Sequence, residues 1–396
     1  MRGRLLRSVA LTAILLPLMG FSAQAMAAQR QPYELVRELQ NVQNSSATDG
    51  QTSRIEQRKR MAELAEALNS VDTAVWSQER NLRAAVIYVL SGGDPTILRR
   101  LIETKVDLAG LDRLVRGALA YSDRADKEAL ELLSGVDVEG LDRTIGGHVA
   151  LVRAVLTVSE DQSKAFALFD RARVIAPGTI VEESALRRQA ILAARMNELA
   201  IFEVLSSQYF RRFGNSIFAR TFERQFAAEV VGRGYPVNEQ RLSVVEEMLR
   251  DLPDEVRTHT CLALAEEGIV RANVEIVRFA ARLAAIDAQT HPMFATRMRL
   301  FEASALLVTD QHDEGARALW SIDRSKLGVR EEALLNAAFA VARAIAKSPT
   351  VAQAQAAQPQ PASDAADNGQ PVEELPIVGN AEAAMARADE LLNGAP

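Results

Sequence analysis

Residues 161–177 read DQSKAFALFDRARVIAP, and this stretch decides the fold class of the chain. Ala165 and Ala172 lie on either side of Phe169, and Pro177 closes the segment. Alanines at helical spacing let two paired helices approach closely, an aromatic ring fills the space between them, and a proline ends the hairpin. The stretch therefore predicts the second helix of a tightly packed helical pair.

The spacing A-x3-F-x2-A-x4-P resembles the second helix of a tetratricopeptide repeat. Residues 147–177 predict two helices joined near Glu160 and Asp161, although the first helix lacks the usual Trp, Gly and Tyr positions. Ala316 and Trp320 repeat the pattern more weakly. Recurring pairs of about 30–40 residues are enough for a stack, so we predict antiparallel helical hairpins in a right-handed, tetratricopeptide-like solenoid.

Helical periodicity extends over the whole body of the chain. Asp94-Pro95 indicates a helix start, and Pro177-Gly178 and Gly214-Asn215 indicate breaks between helices. No alternating strand pattern of useful length occurs, so the predicted fold class is all-α and the predicted helical-repeat domain covers residues 28–347. Two stripes with i, i+3, i+4, i+7 spacing illustrate the pattern: Met61, Leu64, Ala65 and Leu68, then Leu242, Val245, Met248, Leu249 and Leu252.

The N-terminus has the layout of a cleavable secretory signal. Three arginines lie among the first seven residues, an apolar run covers residues 9–21, and A-x-A sites end at Ala25 and Ala27. An uncleaved anchor is the alternative, but the run is shorter than the roughly 18 residues that usually span a bilayer. We therefore predict a cleaved signal peptide over residues 1–27 and a soluble periplasmic chain.

The C-terminal part changes composition after Lys347. Residues 348–379 are rich in Pro, Gln and Ala, which predicts a disordered linker. Residues 380–396 predict a short amphipathic helix whose apolar side includes Met385, Ala388 and Leu391. An isolated helix of this length is marginal in water, so we expect it to gain order on the helical body or on a partner.

Charge and cysteine content restrict the function classes. The formal charge is −6 and becomes −9 once the three signal arginines are removed, which argues against nucleic acid or an anionic membrane as the ligand. Cys261 is the only cysteine, so the fold has no internal disulfide. Its apolar helical context favours a buried small hydrophobe; a reactive thiol or an intermolecular bridge is the alternative.

No sequence pattern indicates catalysis. The chain has no phosphate-binding glycine loop, H-E-x-x-H, C-x-x-C or G-x-S-x-G motif, and its glycines are expected at helix ends. Catalytic, cofactor-binding and metal-binding residues are therefore predicted to be absent. The histidines are spaced too widely for a helical metal pair and are expected at the surface or at helix ends: His148, His259, His291 and His312.

Charged clusters are interpreted as solvated helical faces. Adjacent carboxylates on a helix point roughly 100° apart and form no acid–base pair by themselves. The basic residues Arg54, Arg58, Lys59 and Arg60 alternate with glutamates, which favours a face laced with ion pairs; docking of an acidic partner is the alternative. The carboxylate doublets are Glu182-Glu183, Glu246-Glu247, Glu266-Glu267 and Glu331-Glu332.

Aromatic residues are concentrated in one segment of the chain. At near-helical spacing such residues are more often core than surface, and a groove or partner-binding surface is the alternative. The segment contains Tyr209, Phe210, Phe213, Phe218, Phe222 and Phe226.

Three strings in the body resemble the motility protein family MotC of alphaproteobacterial flagellar motors. They are QPYELVR at residues 31–37, GTIVEESALRR at residues 178–188 and YFRRFGNS at residues 209–216. The resemblance covers about residues 31–347. It implies a non-catalytic periplasmic protein that binds the periplasmic part of the stator protein MotB and supports flagellar rotation and chemotaxis. It supplies no binding residues.

Three other functions remain open at this point. The first is a helical-repeat adaptor of an unrelated envelope complex. The second is a cell-wall lyase with a helical superhelix, which needs a separate lysozyme-like domain for which the chain has no room. The third is a chaperone or ligand carrier, in which the aromatic segment from Tyr209 to Phe226 lines a pocket.

Overall fold

The computed structural model describes residues 30–48, 54–232, 235, 238–287 and 289–347. Over these ranges the chain is helical and contains no strand, which confirms the all-α prediction. The predicted signal peptide, the predicted linker over residues 348–379 and the predicted C-terminal helix over residues 380–396 lie outside the described residues.

The described residues form seventeen α-helices. Short 3₁₀ helices occupy Thr73–Ser77, Ala285–Asp287 and Arg324–Lys326. In chain order the α-helices are α1 Pro32–Thr48, α2 Arg54–Asn69, α3 Glu79–Leu90, α4 Thr96–Glu103, α5 Asp112–Ser122, α6 Asp126–Ser134, α7 Arg143–Thr157, α8 Gln162–Ile175, α9 Ile180–Arg195, α10 Leu199–Phe213, α11 Ala219–Val231, α12 Glu239–Arg250, α13 Asp254–Val270, α14 Val274–Ala284, α15 Pro292–Leu306, α16 His312–Trp320 and α17 Val329–Lys347.

Most helices pack against the helix that precedes or follows them in the chain. Among successive helices, the most extensive contacts are those of α7 with α8, α13 with α14, α5 with α6, α9 with α10, α8 with α9 and α15 with α16. The pair α11 and α12 is the exception, because α11 packs along α13 and α12 touches α10 and α14. Neighbouring pairs therefore confirm the predicted helical hairpins, whereas the hand of the stack stays a prediction.

The segment that decided the prediction forms the expected hairpin. Helices α7 and α8 meet at a turn that includes Glu160, and the Asp161 side chain caps α8 by accepting from the Lys164 amide at 2.9 Å. Ala165, Phe169 and Ala172 are all buried against α7. The small residues thus allow close approach of the two helices, as their spacing predicted.

Several glycines lie inside helices, where the sequence predicted them at helix ends. Gly147 in α7 is the clearest case, because a Cβ there would lie 2.6 Å from the Cβ of Ala176. Gly117 in α5 would place a Cβ 2.7 Å from Leu133 Cδ2. At Gly147 the neighbouring Cβ of Ala176 cannot rotate away, so Gly is retained there despite its poor helix propensity. At Gly117 the neighbour is the flexible side chain of Leu133, which can shift.

The start of α4 shows a small difference from the predicted cap. The helix begins at Thr96, and Pro95 occupies the position before it instead of the first helical position. Asp94 nevertheless accepts the Thr96 amide at 2.8 Å and the Thr96 hydroxyl at 2.6 Å. The carboxylate therefore caps the turn that Pro95 forms.

The apolar core follows the chain as four successive clusters. The first joins α1–α7, the second lies between α7, α8 and α9, the third runs from α9 to α15, and the fourth joins α15, α16 and α17. Such an arrangement is typical of helical stacks, in which each pair buries its surface against its neighbours. No helix within the described ranges is both long and apolar enough to cross a membrane.

Candidate functional site

Helix α1 joins the beginning of the stack to its middle. Near the start of α1, the Tyr33 amide donates to Asn81 Oδ1 of α3 at 3.3 Å. Near its end, Asn44 Oδ1 accepts the amide of Ile180, the first residue of α9, at 2.9 Å. The Thr179 side chain makes no capping bond to α9, so a residue 136 positions earlier supplies the cap.

A buried carboxylate supports the same helix start. Glu182 is 2% exposed, and its Oε2 accepts the Gly178 amide at 2.6 Å and Arg212 Nη2 of α10 at 2.7 Å. A carboxylate in the first turn of a helix is favoured by the positive end of the helix dipole. Glu182 therefore holds the loop between α8 and α9 in a fixed shape.

Glu183 lies deeper, with an exposed fraction of 0%. It accepts the Tyr209 hydroxyl at 2.7 Å and forms an ion pair with Arg187 Nε at 3.0 Å. Burial, followed by the neighbouring Glu183 carboxylate, raises the pKa of Tyr209 far above its usual range. The prediction that carboxylate doublets are solvated is wrong for this pair, because α10 supplies hydrogen-bond donors that the sequence does not show to be nearby.

Two adjoining cavities lie along one face of α1 and form a groove. The first has a volume of about 460 Å³ between α1, α3 and the start of α7. The second has a volume of about 300 Å³ between α1, α7 and the loop that leads into α9. Both are lined by Arg37, Gln40 and Thr144, so they share a wall. We call this feature the α1 groove.

Arginines dominate the charge of the α1 groove. Arg37 and Arg143 are exposed, and no carboxylate of the described residues lies within ion-pair distance of either. Arg80 stacks its guanidinium 4.3 Å from the centroid of the Tyr33 ring. Arg83 is neutralised, since it pairs with Glu79 and, at 3.1 Å, with Asp142. Four arginines and two carboxylates, Glu79 and Asp142, thus line the groove. Arg37 also interacts electrostatically with Glu34, so the groove keeps a small excess of positive charge.

His148 forms part of the floor of the second cavity. Its Nδ1 lies 2.8 Å from the Thr144 carbonyl oxygen, which can only accept, so Nδ1 carries the proton. Its Nε2 lies 3.2 Å from the Ser91 hydroxyl, which donates to it. Burial lowers the pKa of His148, and the imidazole is neutral at pH 7. The sequence placed this histidine at the surface or at a helix end, and the structure corrects that expectation.

The chemistry of the α1 groove favours binding of an anion. Guanidinium groups recognise carboxylates through paired hydrogen bonds. The Ser91 hydroxyl contacts the imidazole of His148, but Ser91 does not line the groove and the other imidazole nitrogen bonds the Thr144 carbonyl oxygen, not a carboxylate. Among the described residues, no three His, Cys, Asp or Glu side chains are grouped so that they could hold a metal ion. The positive charge of the groove is therefore suited to a ligand or protein segment that carries carboxylates.

A third cavity differs from the α1 groove in its balance of charges. It has a volume of about 730 Å³ and lies where α3, α5 and α7 end. Its wall mixes Arg124 and Lys127 with Asp126 and Glu160. Because these charges balance locally, this cavity offers no preference for an anionic or a cationic ligand.

The aromatic segment is core, as its spacing predicted. Phe202 and Tyr235 join it, and ring centroids lie between 4.0 Å and 6.3 Å apart. Phe218 alone is half-buried and lies under the Arg187 guanidinium at 5.2 Å. The rings are buried against one another and fill the space between α9, α10, α11 and α13, which argues against an aromatic ligand pocket. The fully buried members are Tyr209, Phe210, Phe213, Phe222 and Phe226.

The basic cluster on α2 and the cysteine also agree with their simpler interpretations. Arg60 pairs with Glu56 at 3.2 Å and Lys59 pairs with Glu63 at 3.8 Å, which confirms an exposed face laced with ion pairs.

Cys261 is buried, and burial raises the pKa of its thiol to about 12. A buried neutral thiol is a poor nucleophile, so the reactive-thiol alternative is disfavoured.

Comparison with known proteins gives two matches that span most of the chain. The family model described as "Chemotaxis protein MotC" matches residues 2–395. The chemotaxis protein MotC of Rhizobium meliloti (strain 1021) is 30% identical over 368 residues, which cover 91% of this chain and 83% of the relative. No solved structure matches the chain.

Proposed function

The chain belongs to the chemotaxis protein MotC family, and we propose that it binds the periplasmic part of the flagellar stator protein MotB and thereby supports flagellar rotation. Membership of this family identifies the chain as a protein of motility and chemotaxis. The periplasmic location rests on the secretory signal predicted over residues 1–27. The partner rests on the resemblance of the three sequence strings to the family.

The α1 groove is the observation that carries the proposal. The whole chain has a formal charge of −6, yet the arginines that line the α1 groove outnumber its carboxylates and leave an excess of positive charge along one face of α1. A local field opposite to the net charge attracts an acidic segment of a partner and orients it on the surface. We infer that a carboxylate-rich segment of the stator protein lies in this groove.

A non-catalytic mechanism follows from the kind of groups present. The groove offers guanidiniums, amides and a neutral histidine, which bind and orient a partner. Binding changes a stator equilibrium only if the chain has different affinities for the stator conformations. We propose that α1, held at both ends by Asn81 and Asn44, presents a rigid surface that fits one of these conformations better.

A direct binding assay tests both the partner and the surface. Residues 28–396 are titrated with the purified periplasmic part of MotB from the same organism, and an unrelated periplasmic protein serves as the control. The double variant Arg37→Gln/Arg143→Gln is expected to weaken binding by about tenfold or more, which corresponds to about 1.4 kcal/mol. The matched variant Arg58→Gln/Lys59→Gln removes two exposed charges from α2 and should leave the affinity unchanged.

The outcomes separate the partner from the groove. If both double variants bind MotB as tightly as the wild type, MotB is the partner but the α1 groove is not the surface that binds it. Absence of binding to wild-type protein, together with normal swimming of a deletion strain, rejects the motor assignment. In that case, a helical-repeat adaptor of another envelope complex becomes the better hypothesis, since the groove would still fit an acidic partner.

A further inference from the structure

The C-terminal end of the stack exposes an aromatic surface. Trp320, the last residue of α16, is 80% exposed, and its ring centroid lies 4.9 Å from that of Phe339 on α17. The Arg324 guanidinium lies 5.8 Å from the same Phe339 ring. We call Trp320, Phe339 and the adjacent Ala342 the Trp320 surface. Phe339 and Ala342 are partly buried against the apolar core, so the exposed area comes mainly from the Trp320 ring. The last helix of a stack normally presents a polar outer side, so this exposed ring calls for a cover.

The rim of the Trp320 surface is positively charged. Arg317 on α16 and Arg343 on α17 have no carboxylate within ion-pair distance among the described residues. Arg343 is four residues after Phe339, so it lies on the same side of α17. Glu331 is already paired with Arg297 at 2.6 Å. An apolar centre with a basic rim fits an amphipathic helix whose polar side is acidic.

Residues 381–392 of this chain have that character. Their sequence is AEAAMARADELL, and it contains three acids and one arginine. The acids are expected on the side of the helix away from the apolar stripe, or at its edge. The apolar stripe follows the spacing i, i+3, i+4, i+7 and consists of Ala381, Ala384, Met385, Ala388, Leu391 and Leu392.

Residues 348–380 form a tether that is long enough for an intramolecular contact between residues 381–392 and the Trp320 surface. Lys347 ends α17, and Phe339 lies about 12 Å before it along the helix. The 33 residues between Lys347 and Ala381 have a root-mean-square reach of about 30 Å if they are flexible. A tether of this length gives an effective concentration in the millimolar range, so even a small apolar contact is populated.

We propose that residues 381–392 dock as an amphipathic helix on the Trp320 surface of their own chain. Met385 and Leu391 contact the Trp320 and Phe339 rings, since methionine sulfur and aliphatic groups pack well on aromatic faces. Glu382 and Asp389, at the edge of the apolar stripe, face the basic rim. The docked segment then serves as the missing cap of the helical stack.

Tryptophan fluorescence tests the proposal in the chain over residues 28–396. The chain has two tryptophans, and Trp76 is 0% exposed, so acrylamide quenching reports Trp320. We expect the variant Leu391→Asp/Leu392→Asp to raise the quenching constant about threefold and shift the emission to the red, because Trp320 loses its cover. The control Ala386→Asp adds charge outside the apolar stripe and should quench like the wild type.

Two results would overturn the proposal. The first is equal quenching of the wild type and the double aspartate variant, which would show that residues 381–392 leave Trp320 uncovered. The second is protection of Trp320 that disappears on dilution, which would assign the surface to a second copy of the chain. Neither measurement uses the stator protein, so the result is independent of the proposed function.

Discussion

The α7–α8 hairpin and the corner formed by α10 and α11 are equally well buried, but they fill their interiors with different side chains. The hairpin is packed with alanines. Ala150 of α7 and Ala165 of α8, for example, are buried in the same apolar cluster. The corner is packed with rings, and Tyr209 and Phe222 have centroids only 4.0 Å apart. Small residues bring helices close, whereas rings hold them apart and fill the gap.

The two kinds of packing predict that the two regions are destabilised by different kinds of mutation. In the hairpin there is no room for an added atom, as the 2.6 Å distance from a Cβ on Gly147 to the Ala176 Cβ shows. In the corner, removal of a ring leaves a cavity that several neighbouring rings cannot fill by small movements. Enlarging a side chain should therefore destabilise the hairpin, and truncating one should destabilise the corner.

The largest effect is expected from Phe222→Ala in α11. Phe222 contacts the rings of Tyr209, Phe210 and Phe226, and its removal should lower the free energy of unfolding by about 3–5 kcal/mol. Urea denaturation followed by circular dichroism measures the loss. Phe218→Ala is the matched control, because its ring is only half-buried, and it should cost clearly less. Equal losses would show that the aromatic corner is not a tightly packed core.

A smaller effect is expected from Gly147→Ala in α7. Overpacking costs about 1–3 kcal/mol, and the better helix propensity of Ala returns about 1 kcal/mol, so the net loss should be about 1 kcal/mol. Gly117→Ala is the matched control, because its nearest atom at 2.7 Å is the movable end of the Leu133 side chain. That variant should be neutral or slightly stabilised in the same denaturation experiment. A stabilised Gly147→Ala would contradict the close approach of α7 to Ala176.

The comparison also shows what the sequence could predict. The hairpin was predictable because Ala165, Phe169 and Ala172 are close together in the chain and their spacing matches one helix face. The aromatic corner was predictable as core for the same reason. Both predictions use distances of one or two helical turns, over which sequence separation and spatial separation agree.

The α1 groove was not predictable by such local patterns. Arg37 and Arg143 come from helices far apart in sequence, and neither belongs to a charge run. Similarly, an acidic doublet after Gly178 and Thr179 is typical of a solvated first turn, and only tertiary packing places Glu183 against Tyr209. The only available signal was indirect, since the three strings that resemble the motility family contain Arg37, Glu183 and Tyr209.

A further effect concerns pH and compares His148 in the hairpin with His259 in α13, which lies outside the aromatic corner. Burial lowers the pKa of His148, in the hairpin, below its ordinary value of 6.5. Burial and nearby arginines lower the pKa of His259, in α13 beyond the aromatic corner, to about 4. Below pH 6.5 the unfolded chain binds protons that the folded chain does not, so the free energy of unfolding falls as the pH falls. Above pH 6.5 these histidines contribute no pH dependence.

Substitutions separate the two contributions. His148→Gln and His259→Gln should each flatten the fall of unfolding free energy between pH 6.5 and pH 5, by at most about 1.4 kcal/mol per pH unit for each histidine. Urea denaturation at several pH values measures the slope, which is independent of any constant loss that the substitution causes. An unchanged slope for His148→Gln alone would mean that the hairpin opens enough to let water reach the imidazole. The floor of the α1 groove would then be more mobile than its alanine packing indicates, while His259 in α13 would stay neutral.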